Sequence, residues 1–133
     1  MPWLEFYSPE LTLEQRKDLA TQFMEKLTEI LSIPKEMVGI KFDSYKPDHV
    51  WIKQGLLSEK PGETMYHLSI FGPSFKPEQK KEIYREIAKI TTKVLNLNEQ
   101  KQREFGIAIM DLPIDNYSKG GLPISEVMAA AKH

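Results

Sequence analysis

The sequence predicts an α+β fold: a tandem β-α-β repeat giving a four-stranded mixed sheet with two helices on one face. Three observations carry that expectation. The chain repeats itself, since at one constant offset Phe6 falls on Ile70, Pro9 on Pro73, Glu14-Gln15-Arg16-Lys17 on Glu78-Gln79-Lys80-Lys81 and Leu31 on Leu95. After small insertions, Gly39-Ile40 falls on Gly106-Ile107, Pro47 on Pro113, Trp51 on Tyr117, Lys53 on Lys119 and Gly55 on Gly121. Each half also reads as strand, amphipathic helix, strand, and two strands joined by a crossover helix run parallel with a right-handed connection. Finally, 133 residues suffice for one core. We expect one domain over residues 1–133, with repeat one over about 2–55, repeat two over about 65–121 and a short C-terminal tail.

Trp3 to Tyr7 alternates as a strand does and is stopped by Ser8-Pro9. Thr12 is a good N-cap, and Gln15 three residues on completes a capping box. Leu19, Phe23, Leu27, Ile30 and Leu31 then recur at helical spacing, with the helix ending near Ser32 before Pro34. Val38 to Phe42 is a second strand, Asp43 to Asp48 a turn, and Val50-Trp51-Ile52 a short extended return. Gln54 to Thr64, with Gly55, Pro61 and Gly62, reads as a connecting loop. Tyr66 to Phe71 opens the second unit. Pro77 suits the first turn of the next helix, whose apolar face is Ile83, Ile87, Ile90 and Val94. Phe105 to Met110 is the last strong strand, followed by turns at Pro113, Gly120, Gly121 and Pro123 and a tail that turns helical at Val127 to Ala131.

Composition removes several function classes. Eighteen basic and 19 acidic residues give a net charge of -1 without blocks of one sign, so nucleic acid is not an expected partner. With no cysteine there is no disulfide framework, thiolate metal site or cysteine nucleophile. His49, His67 and His133 show no metal-ligand spacing. No apolar run approaches a membrane span and no leader pattern opens the chain, so a soluble, cytoplasmic protein without a membrane partner is expected.

Pro2 is the residue with chemistry to offer. Met-Pro is a common opening, and a proline costs nothing at a strand start. Once Met1 is removed, however, Pro2 carries a secondary amine. Such amines titrate near ~8, burial in an apolar pocket lowers that value, and a general base works best near the ambient pH.

A β-α-β duplication of this length with Pro2 directly after Met1 resembles the tautomerase superfamily, whose members use an amino-terminal proline. Leu11-Thr12 through Gln15-Arg16 opens the first helix as in that family. Asp111-Leu112-Pro113 followed by Gly121-Leu122-Pro123 resembles the end of its fused, two-repeat members. Ile33-Pro34-Lys35-Glu36 to Tyr45-Lys46-Pro47 is similar in layout to malonate semialdehyde decarboxylases, and the stretch from Met110 to cis-3-chloroacrylate dehalogenases. The resemblance implies a homotrimer with the open sheet faces turned inward, a small-molecule carboxylate substrate, no cofactor or metal, and Pro2 as the catalytic group.

Departures from the family's pattern narrow this. Its helix-preceding arginine falls at Leu11 and Phe75, and its strand arginine at Gly39 or Gly106. The acidic partner of the decarboxylases falls at Met37. In the dehalogenases, the acidic partner falls at Lys119 and the helix histidine at Leu27. Decarboxylation and dehalogenation are therefore not expected. Lys41 shares a strand face with Gly39 and is the leading carboxylate or enolate partner. Lys53 and Lys119 stand in equivalent positions beside the aromatics Trp51 and Tyr117. Trp51, Tyr117 and Lys119 are substrate-binding candidates suited to an anion with an apolar body, such as an aryl pyruvate. Solvated lysines and packing aromatics are the plain alternatives, and His67, inside a strand, has a structural explanation. The resulting expectation is an isomerase: tautomerisation of a 2-oxo acid or its enol with Pro2 as base. A catalytically degenerate trimeric binding protein of the same fold, favoured by the missing arginines, and a ferredoxin-like module that binds single-stranded RNA are the alternatives.

Overall fold

A computed structural model describes residues 2–131. Met1 and His133 lie outside them. The elements in order are β1 (Trp3–Ser8), α1 (Leu13–Leu31), β2 (Gly39–Ser44), β3 (Trp51–Ile52), β4 (Gly55–Leu56), β5 (His67–Gly72), α2 (Pro77–Leu95), α3 (Glu99–Glu104), β6 (Gly106–Asp111), β7 (Ser118–Lys119), β8 (Leu122–Pro123) and α4 (Ile124–Ala131). The main sheet is four-stranded in the order β2-β1-β5-β6. β1 runs parallel to β2, and β5 parallel to β6. β1 and β5 meet antiparallel at the centre, Trp3 opposite Phe71 and Tyr7 opposite His67. The expected duplicated architecture is the observed one.

The two helices are begun and ended by equivalent residues. Thr12 Oγ1 accepts from the Gln15 N–H at 3.0 Å, and Gln15 Oε1 accepts from the Thr12 N–H at 2.9 Å, closing the capping box. In α2, Gln79 Oε1 accepts from the Lys76 N–H at 2.9 Å. Lysine has no acceptor to return, so only half of that cap forms and the Lys76 side chain stays available for something else. Both helices end in a left-handed residue, Ser32 at φ 54° and Asn96 at φ 51°.

Strand alternation divides the sheet into two faces. Leu4, Phe6, Leu68 and Ile70 point toward the helices and are fully buried with Leu19, Phe23, Leu27, Ile83 and Ile87. Phe6 lies at the centre, its ring centroid 6.2 Å from Phe23, 5.9 Å from Phe42 and 6.1 Å from Phe105. Burying each such side chain stabilises by roughly 1.5–3 kcal/mol. The buried Thr91 hydroxyl donates to the Ile87 carbonyl at 2.8 Å and so carries no unpaired polar group inward. The other face has no helix over it. It presents Trp3, Glu5 and Tyr7 on β1, Lys41 and Asp43 on β2, and His67, Ser69 and Phe71 on β5.

The structure departs from expectation in three places. Gln54 to Thr64 is not all loop, because Gly55–Leu56 pairs with Trp51–Ile52 as a hairpin. Its turn uses Lys53 at φ 49° and Gln54 at φ 64°, residues that do not advertise a left-handed turn. The second hairpin, turning at Gly120 and Gly121 (φ 62° and 82°), carries the ordinary signature. The helix α3 was not expected either: its sequence, EQKQRE, is polar all round and has no apolar period, although Asn98 caps it by accepting from the Lys101 N–H at 2.9 Å. The C-terminal helix begins at Ile124 rather than Val127. No described helix is long and apolar enough to cross a membrane.

Candidate active site

The antiparallel pairing of β1 with β5 decides what surrounds Pro2. β6 runs parallel to β5, so it ends beside the start of β1, and the chain leaving β6 arrives at Pro2. Leu112 donates its N–H to the Gly72 carbonyl at 2.7 Å, and Tyr117 follows into the same space. The chain entering β2 flanks the other side through the turn Lys35–Met37, and Gly39 donates its N–H to the Pro2 carbonyl at 3.1 Å. Pro2 itself is buried.

The result is a cavity of about 510 Å³. Pro2, Met37, Val38 and Leu112 form its apolar wall, Trp3, Phe71 and Tyr117 add three aromatic rings, and Glu5 and Glu36 add carboxylates beside Gly39. The Trp3 ring lies over Gly39 so closely that a Cβ there would sit 2.6 Å from Trp3 Cζ3. Glu5 is held from both sides: Tyr7 Oη donates to Oε2 at 2.6 Å and Trp3 Nε1 to Oε1 at 3.3 Å. Those two donors, Tyr7 first, keep the Glu5 carboxyl below the usual carboxylate range, and Glu5 in turn pushes the Tyr7 phenol up. Both donors are neutral, and Lys41, opposite Glu5 in register, adds the smallest lowering through its charge.

A second, smaller cavity of about 270 Å³ shares Pro2 and Met37 with the first. Leu31, Ile33, Pro73, Phe75, Ser74 and Gln79 line it, and Lys76 is its one cation among the described residues. Ser74 takes φ 36°, a conformation that costs a non-glycine residue energy. The turn is tied down by Asp111, which accepts from Lys80 Nζ at 2.8 Å and from the Phe75 N–H; these bonds, with Lys80 the larger cause, hold its carboxyl low.

Of the residues singled out in the sequence, Pro2 and Tyr117 are brought together in one cavity. Lys41 does not line it. Opposite Glu5 in register, it is the one lysine or arginine on the open face of the main sheet, and its Nζ pairs with Asp43 Oδ2 at 3.3 Å. Trp51 stands in β3, 67% exposed and away from both Pro2 cavities. Lys119 is exposed in β7 and makes no ion pair among the described residues. His67 is half-buried, 3.3 Å from Ser69 Oγ and against the Tyr7 ring. Trp3, Glu5, Glu36, Phe71, Leu112 and Lys76 went unnoticed as site residues. Strand parity could have found the first two, and Lys76 by its position next to Phe75. Among the described residues no group of three or more His, Asp or Glu could hold a metal ion.

Comparison with known proteins places this geometry. No family model and no curated protein matches the chain. Solved structures do. A native fused 4-OT superposes with a TM-score of 0.82 at 14% identity, covering 95% of this chain and 98% of its own. The R7 fused 4-OT wild-type asymmetric trimer gives 0.77 at 15%, covering 95% and 98%. An FG41 malonate semialdehyde decarboxylase inhibited by 3-bromopropiolate gives 0.70 at 16%, covering 96% and 96%. These likenesses extend over nearly the whole chain in both directions, and the duplicated β-α-β fold of this protein is the fold of these fused 4-OT and malonate semialdehyde decarboxylase structures, as the internal repeat implied.

Proposed function

We propose that the protein is a tautomerase-like isomerase that moves a proton in a 2-oxo acid or its enol, with Pro2 as general base after removal of Met1. The observation that carries this reading is the position of Pro2 at the junction of two cavities, where a ligand in either one touches it. The neutral amine takes the proton from the enol oxygen, the ammonium so formed returns a proton to the adjacent carbon, and the amine is regenerated with the keto product. The negative charge that builds on oxygen and the substrate carboxylate need a cation. Lys76 is the cation that shares a cavity with Pro2. Lys41 is the second candidate, one alternation along β2 from Gly39. Tyr117 walls the apolar body of the substrate, and Trp51 and Lys119 would reach a site only in an assembly.

The working form is proposed to be a homotrimer with the helix-free sheet face turned inward. That face exposes Trp3 and Met110, and Trp51, Tyr117 and Leu122 add further exposed apolar area. Trimers among the structural neighbours support this. A second reading, a catalytically degenerate trimeric binding protein, is favoured by one fact: among the described residues no lysine, arginine or histidine lines the larger cavity.

The deciding experiment compares ketonisation of an aryl enolpyruvate by protein whose intact mass proves Met1 removal with the same reaction by Pro2→Ala. A rate well above buffer that falls by about 10²-fold or more in the variant is expected. Equal rates, or none above buffer, would leave the binding-protein reading in its place.

A further inference from the structure

The two cavities that meet at Pro2 carry opposite charge. On the smaller, Lys76 is the one ionisable side chain among the described residues. On the larger, two carboxylates, Glu5 and Glu36, stand with the aromatic rings of Trp3, Phe71 and Tyr117, and among the described residues no lysine, arginine or histidine lines it. Glu36 makes no ion pair or side-chain hydrogen bond among the described residues and projects from the short turn that opens β2. Glu5 accepts hydrogen bonds from the neutral donors Tyr7 and Trp3, and Lys41, opposite it in register, adds only the smallest lowering of its carboxyl while its Nζ is paired with Asp43. Aromatic faces attract a cation through the ring quadrupole, and two carboxylates beside them supply the countercharge. A second anion in the same place would meet two like charges in a partly desolvated space.

We propose that this polarity selects the substrate: a 2-oxo acid or enol whose carboxylate lies toward Lys76 and whose opposite end, in the aromatic cavity, carries a positive charge. Dicarboxylates are excluded by Glu5 and Glu36. The inference rests on Pro2 as the reacting group for its catalytic consequence, and on the cavity alone for its binding consequence. Glu36 is the specificity-determining residue, because it is free to meet the ligand while Glu5 is held in place.

The test uses Pro2→Ala protein, in which turnover is removed, and three 3-arylpropionates bearing a para aminomethyl group, hydrogen or a carboxylate. Binding is read from tryptophan fluorescence in a Trp51→Phe background, which leaves Trp3 as the one tryptophan, and by calorimetry. The aminomethyl compound should bind about tenfold more tightly than the unsubstituted one and the para-carboxylate about tenfold more weakly. Glu36→Gln should narrow the spread, and Glu36→Lys should reverse the order, with circular dichroism unchanged because Glu36 is exposed. Equal affinities, a preference for the dicarboxylate, or no binding of any of the three overturns the proposal. The matching aryl enolpyruvates are then offered to protein with a free Pro2. Ketonisation of none of them, with the binding order intact, sinks the proline-base reading and leaves the charge selection standing. Ketonisation of all three at one rate sinks the charge selection alone.

Discussion

At the Pro2 end of the sheet, the start of β1 is flanked by the turn before β2 and covered by Tyr117 from the second repeat. At the opposite end, the start of β5 is flanked by α3 and covered by Ile52 and Lys53 from the first repeat, around a smaller cavity of about 320 Å³ beside Thr64, Met65 and Tyr66. The plan is the same, each repeat roofing the other's strand start, but the two ends are finished with different chemistry. The second is cross-linked by charge. Lys101 Nζ lies 3.2 Å from Glu63 and 3.5 Å from Glu104 and donates to the Thr64 carbonyl at 3.0 Å, while Lys53 reaches the same two carboxylates at 3.5 and 3.4 Å. Met65 donates its N–H to Tyr45 Oη at 2.8 Å, so the backbone there is tied as well. At the first end Glu5 and Glu36 make no ion pair among the described residues and the space stays open. The same duplicated plan is tied down by charge at one end and left open at the other.

The largest effect that could break this comparison is chemical. Pro2→Ala should lower kcat/KM for an aryl enolpyruvate by about 10²-fold or more. Tyr66→Ala, at the equivalent strand start, should leave kcat/KM within a few-fold and lower the Tm instead, as read by thermal melting. Comparable losses of rate in both variants would mean that the ends are not functionally distinct.

A sharper contrast comes from the equivalent glycines. A Cβ on Gly39 would meet Trp3 Cζ3 and Cε3 at 2.6 and 2.7 Å, so Gly39→Ala must displace a ring that walls the Pro2 cavity. On the order of tenfold should be lost in kcat/KM. A Cβ on Gly106 would meet His67 Nδ1 at 2.9 Å, where a half-buried ring has room to swing, so Gly106→Ala should keep its rate and cost at most about 1–3 kcal/mol of stability by denaturant titration. Equal loss of activity in the two would sever Trp3 from the site.

Removing the tie at the second end should be felt in stability alone. The Lys101 side chain is only 11% exposed, and Lys101→Met takes its three bonding partners away at once. A Tm lower by a few degrees is expected, with faster hydrogen exchange at the Met65 amide and an unchanged ketonisation rate.

The smallest expected effect is on pH. Lys101 depresses the Glu63 carboxyl, and Gln100 with Lys101 and Lys53 depresses that of Glu104, while Glu104 and Glu63 raise the Lys53 amine against its desolvation. A depressed carboxyl contributes stability that is complete above its unfolded value, near ~4.3, and is lost as pH falls through the lower folded value. Exchange at Met65 should therefore accelerate below about pH 4 more steeply than at Gly39. Screening by salt should blunt the difference, since these groups are largely solvated. Parallel acid profiles at the two amides would remove the electrostatic explanation for the tied end.

Much of the fold was legible because it is written in short-range patterns. The period of Leu19, Phe23 and Leu27, the reciprocal Thr12 and Gln15, and the repeat of Gly39-Ile40 at Gly106-Ile107 each report a local structure within a few residues. The expectation for Pro2 is likewise a chemical property of one residue at one position, and the structure adds its place between two cavities. The polar α3 and the non-glycine turn at Lys53-Gln54 were silent because neither has an apolar period or a turn residue to announce it. For the site, parity put Lys41 on the right face of β2 without telling that Asp43 would engage it, and the half-capped start of α2, which leaves Lys76 free beside Pro2, drew no notice.

What the sequence determined by itself was the duplicated β-α-β order and the helix-side core, because propensity, capping and periodicity act over single turns and strands. Only the tertiary structure decided which hairpin roofs which strand start, and hence that Tyr117, Leu112 and Phe71 wall Pro2 while Trp51 does not. That choice follows from β1 and β5 pairing antiparallel at the centre of the sheet. Long-range pairing of that kind brings distant charges and rings together with no trace in the spacing of either partner.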